Sequence, residues 1–311
     1  MIRVFIDGSA GTTGLRIRER LASRADLELI SLPEELRKDE SARRDALNAA
    51  DVAFLCLPDA AAKESAALIT SGKTVLIDTS TAHRVDPGWV YGFPELSGQR
   101  ERIIHAKRIA NPGCHATGFI SLVAPLTARG AVRKDVRLSC FSLTGYSGGG
   151  KKMIAEYESP DRDPLYASPR QYGLTQTHKH LPEMKALCDL EHAPVFCPIV
   201  APYYAGMEVT VPLTDADTSL SPAELRELYR GYYGTGLIHV SEDDAENGFL
   251  SASAYAGRDD LEIRVLGGEG RILLIARFDN LGKGASGAAI QNMNLVLGLE
   301  ESEGLVTGRH A

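Results

Sequence analysis

The segment with the clearest capacity for chemistry is Asn111-Pro112-Gly113-Cys114, which is followed by His115-Ala116-Thr117-Gly118. A turn ends at Cys114, and the pattern from Thr117 to Leu126 predicts a helix. The thiol is therefore expected at the positive end of a helix dipole, where a thiolate is favoured and backbone amides can face a reacting oxygen. Beside a redox cofactor, such a thiolate can capture an acyl group and present it to a hydride.

The other four cysteines have no comparable setting: they are Cys56, Cys140, Cys188 and Cys197. The five form no CxxC pair, which is typical of reduced thiols in the cytoplasm. Cys56 and Cys140 lie in strand-like runs, where they are expected to pack as small hydrophobic side chains. Cys114 is therefore the candidate nucleophile.

A second group of reactive side chains is His178-Lys179-His180-Leu181-Pro182-Glu183. One imidazole could carry the proton that acyl transfer requires, and Glu183 could orient it. We assign this acid–base role to His180 rather than to His178. Paired histidines can also bind a metal ion, but no third or fourth ligand has suitable spacing, so no metal site is predicted.

Two further segments could bind an anion. Arg84, in the segment Asp78–Arg84 at the end of a predicted strand, could hold an anion through paired N–H groups, or could form a structural ion pair. The glycine-rich run from Thr144 to Lys152 could offer backbone amides to a second anion, or could be a flexible hairpin loop.

A glycine-rich turn follows the first predicted strand and opens the first predicted helix. Its GxxGxxG spacing is a variant of the turn whose glycines let a pyrophosphate approach the backbone at a helix N-terminus. A strand-to-helix turn without a ligand is the alternative. The cofactor-binding residues predicted here are Gly8, Ser9, Ala10, Gly11, Thr12, Thr13 and Gly14.

The second predicted strand ends at Ile30-Ser31-Leu32-Pro33, with no carboxylate at its tip. An acidic side chain there would usually hold the ribose hydroxyls of NAD. Its absence, with basic residues nearby at Arg37, Lys38, Arg43 and Arg44, favours the 2′-phosphate of NADP, although these charges could simply belong to a solvated helix face. Ser31 and Arg37 are therefore assigned to NADP(H), and further contacts are expected from Leu57, Pro58 and Ser80.

The spacing of apolar residues predicts an α/β fold: an N-terminal Rossmann-type parallel sheet followed by an α+β substrate domain with a mainly antiparallel sheet. The first domain is assigned to residues 1–115, completed by a C-terminal helix at 283–311, and the catalytic, substrate and dimerisation domain to 116–282. Early strands are predicted at 2–6, 27–32, 52–57 and 74–78, and later ones at 136–143, 195–199, 207–213, 261–266 and 271–278. A helix is predicted over 282–299.

Composition excludes several classes of protein. With 311 residues, a formal net charge of −7 and no basic stripe, the chain is not expected to bind nucleic acid. It contains no apolar run of about 18 residues, so no membrane span is expected. The N-terminus enters a strand at once, which leaves no room for a signal peptide and indicates a cytoplasmic protein.

Together these motifs resemble the N-acetyl-gamma-glutamyl-phosphate reductase family in its shorter form. The Asn-Pro-Gly-Cys motif alone is shared with aspartate-semialdehyde dehydrogenases, whereas the His-x-His-x-Pro-Glu block is more specific. His115 follows the cysteine, where the longer form of the family usually has Tyr. The resemblance also covers the glycine turn, Tyr91-Gly92-Phe93-Pro94-Glu95-Leu96, Asn280-Leu281-Gly282-Lys283-Gly284-Ala285-Ser286-Gly287 and Gln291-Asn292-Met293-Asn294.

The resemblance implies a glyceraldehyde-3-phosphate-dehydrogenase-like fold, NADP(H) as cofactor, and a cytoplasmic homodimer or homotetramer. It implies reduction of N-acetyl-L-glutamyl 5-phosphate to the 5-semialdehyde through a Cys114 thioester, a step of arginine biosynthesis. By position, Cys114 is the nucleophile and His180 the acid–base, while Asn280 and Lys283 are assigned to the cofactor. The expected substrate-binding residues are Arg84, Asn111, Ser147, Gly148, His178 and Lys179.

Two alternatives remain open from the residues. An aspartate-semialdehyde dehydrogenase would share the nucleophile but usually lacks the His-x-His-x-Pro-Glu block. A non-enzymatic NADP-binding sensor would keep the glycine turn but would need no pair of Cys and His.

Overall fold

The computed structural model describes residues 1–234, 236–242, 246–268 and 270–308, which form two compact units. The first unit comprises Met1–Pro94, Gly98–Pro112 and Ala285–Leu305. The second comprises Glu95–Ser97, Gly113–Gly284 and the described tail, 306–308. The chain therefore enters the second unit one residue before Cys114.

The first 112 residues alternate strands and helices. Their strands are β1 (Ile2–Asp7), β2 (Leu27–Ile30), β3 (Val52–Leu55), β4 (Val75–Asp78), β5 (Val90–Tyr91) and β6 (Arg108–Ala110). Their helices are α1 (Thr12–Leu21), α2 (Glu40–Ala49), α3 (Asp59–Ala67) and α4 (Gln99–Ile104). This alternation is the one that a crossover-connected parallel sheet requires.

These strands form one sheet in the order β2-β1-β3-β4-β6-β5, in which every neighbouring pair is parallel. Successive side chains of β1 enter opposite cores: Val4 packs with Ile17 of α1, whereas Phe5 packs with Leu47 of α2. Since both faces are covered, β3 and β4 are apolar and buried along most of their length. The predicted Rossmann-type sheet is confirmed.

The second unit is built around a seven-stranded sheet. Its strands are β7 (Ser139–Gly145), β8 (Arg170–Gln171), β9 (Val195–Ala201), β10 (Met207–Thr214), β11 (Ile238–Val240), β12 (Leu261–Gly268) and β13 (Arg271–Phe278). Its helices are α5 (Cys114–Ala128), α6 (Gly150–Glu158), α7 (Leu181–Leu187) and α8 (Pro222–Tyr233). The strand order is β11-β12-β13-β10-β7-β9-β8, with four antiparallel and two parallel pairs, so the mainly antiparallel sheet is also confirmed.

Helix α5 lies against one face of this sheet and is buried along almost its whole length. The hydroxyls of Tyr229 and Tyr233 on α8 donate to the carbonyls of Leu122 and Ser121, which fixes α5 from its other side. The helix begins at Cys114 itself, three residues earlier than predicted. The thiol is thus attached to one of the most buried helices of the unit.

The chain returns to the first unit in α9 (Gly287–Val296), whose Ile290 and Met293 join the core beneath β1. This helix is shorter than the one predicted over 282–299 and than the C-terminal helix assigned to 283–311, because Gly282–Ser286 forms a π-helical turn instead and residues 297–308 are not helical. The side chain of Asp279 accepts from the amides of Leu281, at 2.6 Å, and Gly282, at 3.0 Å, and so competes with regular helix formation. In the described part of the chain, no helix is both long and apolar enough to cross a bilayer.

Gly118 allows α5 to approach the sheet, and its replacement tests this packing. A Cβ at this position would overlap Val209 of β10 and lie 2.9 Å from the Phe278 ring of β13. Gly118→Ala should therefore lower the free energy of unfolding by about 1–3 kcal/mol, as overpacking does, measured by urea denaturation.

Gly231→Ala is the matched control, because this α8 glycine is exposed and a Cβ there would meet no neighbour within 4 Å. Relief of backbone entropy should make this variant more stable by about 0.5–1 kcal/mol. Equal stabilisation by both substitutions would contradict the tight contact between α5 and the sheet.

Candidate active site

Cys114 is the first residue of α5 and is half-buried. Gly113, the residue that precedes the helix, is extended and supplies no capping side chain. The amide of Thr117 donates to the Gly113 carbonyl at 2.8 Å and closes the first helical turn. The positive end of α5 is therefore directed at Cys114, which favours the thiolate.

Glu183 connects the start of α5 to the predicted histidines. Its Oε2 accepts a hydrogen bond from the Gly113 amide at 3.2 Å, and its Oε1 lies 4.0 Å from Nε2 of His180. Both side chains are buried, with 1% of Glu183 and 5% of His180 exposed. The carboxylate thus holds the backbone before the nucleophile and faces the candidate acid–base residue, as the sequence suggested.

Three imidazoles gather at this point of the second unit. The rings of His178 and His180 lie 4.8 Å apart, and that of His115 lies 5.7 Å from the first and 5.5 Å from the second. Because His115 directly follows Cys114, the first turn of α5 and the His178–Glu183 segment form one cluster. The His180 amide donates to Nδ1 of His178 at 3.2 Å, so that nitrogen acts as an acceptor.

His115 occupies the interior of this cluster and is held neutral. Burial, with a smaller contribution from the charge of His178, lowers the pKa of His115 to about 3. Its Nδ1 lies 2.7 Å from Oγ of Ser142, and its Nε2 lies 2.6 Å from the hydroxyl of Tyr172. Burial, and then the negative charge of Cys114, raise the pKa of Tyr172.

Ser142 and Tyr172 were not predicted from the sequence. Ser142 lies on β7 and Tyr172 directly after β8, and neither belongs to a local motif. The alternation of β7 could have placed Ser142 on the face that carries α5, since Cys140, Ser142 and Thr144 are all buried. No signal near Tyr172 could have indicated its partner on α5.

Asn280 and Ser147 form a second buried contact in this unit. Asn280 Nδ2 donates to Oγ of Ser147 at 2.9 Å, while Asn280 Oδ1 accepts from the Gly206 amide at 2.9 Å. A Cβ on Gly148 would lie 3.3 Å from Asn280 Nδ2. The run Tyr146–Gly149 is a 3₁₀ turn that leads into α6 rather than a hairpin loop. Ligand binding by Ser147, Gly148 and Asn280 stays a prediction.

The two predicted lysines have different surroundings. Lys283 is buried, and its Nζ lies 2.6 Å from Oε1 of the equally buried Glu95, which gives it a structural partner within the second unit. Lys179 is exposed. Their assignments to cofactor and substrate stay predictions.

In the first unit, the predicted dinucleotide residues line a cavity of about 490 Å³. Gly8, Ser9 and Ala10 lie at the end of β1, and Ser31 lies just after β2. Arg37 and Leu57 contribute to the same walls, so a large part of the predicted set converges on one space within this unit. The cavity is also lined by Arg18, Lys38 and Arg43.

The geometry of the glycine turn fits a pyrophosphate. Gly8 has φ +87°, and a Cβ on it would overlap the Cys56 carbonyl; a Cβ on Gly14 would lie 2.6 Å from the Gly8 carbonyl. Helix α1 begins at Thr12 without a capping side chain at Gly11, and Thr12 Oγ1 is buried with no hydrogen-bond partner among the described residues. The amides and this hydroxyl are therefore placed to bind an anion. Thr13 lies in the same first turn, and Pro58 precedes α3.

Three basic residues near Ser31 can meet a phosphate. Arg37 and Lys38 were expected, whereas Arg18, one turn after Gly14 on α1, was missed; its spacing from that glycine could have indicated it. Arg43 is engaged elsewhere, since its Nη2 lies 2.8 Å from Oδ2 of Asp7.

Ser80, Arg84 and Asn111 are buried in the first unit, where each is bound by protein groups. The Ser80 hydroxyl donates to Asp78 at 2.7 Å, and Nε of Arg84 donates to the Asn111 carbonyl at 3.0 Å. Asn111 Nδ2 donates to the Ala285 carbonyl at 3.0 Å. These contacts order the segments after β4 and β6, and the ligand-binding roles of the three residues stay predictions.

Among the described residues, no set of three His, Cys, Asp or Glu side chains could hold a metal ion.

The surroundings of the thiols predict selective alkylation of Cys114. Burial raises the pKa of Cys56 to about 12 and also raises those of Cys140 and Cys188. At pH 7.5, iodoacetamide should therefore modify Cys114 roughly tenfold faster than these three, because the thiolate is the reactive form. Peptide mapping by mass spectrometry against time measures each rate. Cys114→Ser should remove the fast phase, and its persistence would contradict the assignment.

Comparison with known proteins places the chain in a family. A protein-family model described as the semialdehyde dehydrogenase dimerisation domain matches residues 114–280. A second family model, described as the semialdehyde dehydrogenase NAD binding domain, matches residues 31–106. Among solved structures, an aspartate semialdehyde dehydrogenase from Francisella tularensis aligns with a TM-score of 0.70 at 15% identity, over 96% of this chain and 100% of that one. One from Candida albicans, solved with NADP, aligns with a TM-score of 0.67 at 14% identity, over 96% and 98%. At these identities the likeness concerns the fold.

Curated relatives are much closer in sequence. Proteins named N-acetyl-gamma-glutamyl-phosphate reductase from Brucella anthropi and Brucella ovis are each 47% identical over 306 residues. The match covers 95% of this chain and 98% and 99%, respectively, of theirs. These findings confirm the resemblance seen in the motifs. The chain therefore belongs to the N-acetyl-gamma-glutamyl-phosphate reductase family of the semialdehyde dehydrogenases.

Proposed function

We propose that this protein reduces N-acetyl-L-glutamyl 5-phosphate to N-acetyl-L-glutamate 5-semialdehyde with NADPH, a step of arginine biosynthesis. The observation that carries the proposal is the cluster in which Glu183 joins the start of α5 to His180. The curated relatives bear the name of this reaction. The cluster supplies the nucleophile and the proton carrier that it requires.

The first half of the reaction transfers the acyl group to the enzyme. The Cys114 thiolate attacks the acyl carbon, and the amides at the start of α5 stabilise the oxyanion that forms. The bond between the acyl carbon and the phosphate oxygen then breaks, leaving a thioester on Cys114 and free phosphate. Arg84, Asn111, Ser147, Gly148, His178 and Lys179 are retained as candidate substrate-binding residues.

The second half releases the aldehyde. Bound NADPH supplies the hydride that converts the thioester to a hemithioacetal. His180 stabilises the hemithioacetal oxygen with a proton and takes that proton back as the carbon–sulfur bond breaks. The products are the semialdehyde and the regenerated Cys114 thiolate, so the enzyme ends in its starting protonation state.

The cofactor is assigned to the cavity of the first unit. The turn from Gly8 to Gly14 would hold the pyrophosphate at the start of α1, as its open amides and the Thr12 hydroxyl favour. Ser31 and Arg37 would bind the 2′-phosphate of NADPH, supported by the positive charges of Lys38 and Arg18 in the same walls. The cofactor domain would comprise residues 1–115 and the C-terminal helix, and the catalytic domain residues 116–282.

The reductase activity can be tested in the reverse direction. Phosphate-dependent reduction of NADP by N-acetylglutamate semialdehyde should exceed that of NAD, and should exceed the rate with aspartate semialdehyde. Cys114→Ser should lower kcat by about a thousandfold or more, because the thioester cannot form. His180→Asn should lower kcat about 10²–10⁴-fold with a smaller change in KM, as removal of an acid–base group does.

His105→Asn is a matched control, since this histidine is exposed, directly follows α4 and pairs with Glu101 of that helix, outside the reactive cluster. It should leave the kinetic constants unchanged. Full activity of Cys114→Ser would exclude the covalent route, and a larger loss in His178→Asn than in His180→Asn would move the acid–base role. A preference for aspartate semialdehyde would reassign the substrate.

We further propose that the enzyme is a homo-oligomer that contacts its copy through the sheet face opposite α5. Phe141, Val195 and Leu273 lie on that face and are 42%, 56% and 42% exposed. Phe141 pairs in register with Cys197 on one side and Thr210 on the other, so it lies in the interior of this face rather than at its edge. The family model for this region is described as a dimerisation domain.

We also propose a cytoplasmic location, which suits five cysteines that form no disulfide and is tested by cell fractionation.

A charge in the centre of this face should separate the copies. Phe141→Lys should lower the mass measured by sedimentation velocity to that of the monomer, because a buried unpaired ammonium is strongly unfavourable at an interface. Leu165→Lys, in the exposed 3₁₀ helix Pro164–Ala167, is the matched control and should leave the assembly intact. An unchanged mass for Phe141→Lys would exclude this face as the interface.

A further inference from the structure

A buried ion pair forms part of the wall of the cavity in the first unit. Asp7, the last residue of β1, and Arg43, on α2, both line this cavity, and their side chains are 5% and 15% exposed. The charge of Arg43 is therefore compensated before any ligand enters. The proposed function gives neither residue a role.

The pair fixes the guanidinium of Arg43 by one of its edges. Nε of Arg43 lies 3.3 Å from Oδ1 and 3.2 Å from Oδ2 of Asp7, and Nη2 lies 2.8 Å from Oδ2. The Nε–H group and one Nη2–H group form a single edge of the planar guanidinium, so the carboxylate occupies that edge. The parts of the guanidinium left for the cavity are its flat faces and Nη1.

Asp7 is itself held in place by two neighbouring elements. Its Oδ2 accepts a hydrogen bond from Oγ of Ser65, on α3, at 2.5 Å, and Ser65 is fully inaccessible to solvent. Its carbonyl accepts from the amide of Cys56, directly after β3, at 2.8 Å. One carboxylate therefore joins α2 and α3 to the end of β1, and the orientation of Arg43 is set by the core rather than by a ligand.

The same cavity has apolar walls. Leu32 lies after β2, Leu57 lies after β3, and Ala61 lies in the first turn of α3; all three are half-buried and line this space. Aliphatic side chains favour the faces of a flat ring over a charged group that must keep its hydration. A guanidinium plane in such a cavity suits a nucleobase, because arginine stacks on aromatic rings through its face.

The charges in the cavity walls argue against a phosphate at Arg43. The carboxylate of Asp7 would repel a phosphate bound there. Arg37 and Lys38 line the same cavity and are exposed, so a hydrated phosphate can meet them without approaching Asp7. The base and the 2′-phosphate of one dinucleotide thus find different surroundings in this space.

We propose that Arg43 is a cofactor-binding residue that stacks the face of its guanidinium on the adenine ring of NADPH, and that Asp7 is the positioning residue that fixes this face. The 2′-phosphate remains with Ser31 and Arg37. Arg43 then contributes to the affinity for NADPH and NAD alike, but not to the choice between them. The inference rests on the proposed function for placing the dinucleotide in this cavity.

The test compares the binding of two dinucleotides to the full-length enzyme without substrate. Binding of NADPH is followed by its fluorescence, and that of NAD by its displacement of NADPH. Arg43→Lys keeps a cation beside Asp7 but has no planar face, so it should weaken the binding of both about tenfold, as loss of one base stack does. Arg37→Met should instead weaken the binding of NADPH alone, because NAD has no 2′-phosphate.

Arg44→Lys is the matched control on the same helix. Arg44 is exposed and pairs with Glu40 of α2 at 2.5 Å, and its substitution should leave both dissociation constants unchanged. A loss confined to NADPH in Arg43→Lys would place this residue at the 2′-phosphate and would overturn the stacking role. Unchanged binding of both dinucleotides would overturn it as well.

A purely structural role for the ion pair predicts a different result. Arg43→Lys would then lower the melting temperature of the cofactor-free enzyme, and weaker binding accompanied by that decrease would overturn the proposal. If Arg43 stacks on the base, this melting temperature stays that of the wild type, and the KM for NADPH rises about tenfold with a smaller change in kcat. If Arg43→Lys does not fold, Arg43→Gln is the second variant, since its amide can still donate to Asp7 while most of the planar surface is lost.

The two proposals fail in different ways. A wild-type enzyme that binds neither NADPH nor NAD would defeat the cofactor assignment on which the proposed function depends. A wild-type enzyme that is an active reductase, but whose Arg43→Lys variant binds both dinucleotides as Arg44→Lys does, would keep the function and defeat the role of Arg43.

Discussion

The buried carboxylate of Glu183 is the interaction on which the reactive cluster depends. It accepts from the Gly113 amide and lies 4.0 Å from Nε2 of His180, with 1% of its side chain exposed. A buried carboxylate is tolerated only where donors and cations compensate for lost hydration. The backbone before Cys114 and the imidazole of His180 are therefore held near the same charge, and one side chain relates two segments nearly 70 residues apart.

The position of the thiol in the fold, rather than the thiol itself, accounts for the chemistry. None of the five cysteines forms a disulfide, but burial raises the pKa values of Cys56, Cys140 and Cys188, which suppresses their thiolates. Cys114 is half-buried at the uncapped start of α5. The Cys114 side chain is also closely packed against Gly284, since a Cβ on Gly284 would lie only 2.9 Å from Cβ of Cys114. The protein thus activates one thiol by placing it at the first residue of a helix.

Much of this arrangement could be predicted from the sequence because the relevant signals are local. Cys114 stands in a turn before a helix, the glycines from Gly8 to Gly14 stand between a strand and a helix, and His180 stands beside Pro182 and Glu183. Both sheets follow from the spacing of apolar residues. What could not be predicted depends on tertiary contact: Tyr172 meets His115 only because β8 and α5 are brought together by the second sheet. The turn at Gly282–Ser286 was read as helix because the competition from Asp279 has no periodic signature.

The cluster contains three histidines, and its hydrogen bonds divide their roles. His115 is kept neutral by burial, and its two ring nitrogens lie within hydrogen-bond distance of the hydroxyls of Ser142 and Tyr172. Nδ1 of His178 accepts from the His180 amide, and protonation there would break that bond. Nε2 of His180 lies 4.0 Å from the carboxylate of Glu183. The proposed acid–base role of His180 is therefore supported by the neighbouring carboxylate of Glu183 as well as by the spacing in the sequence.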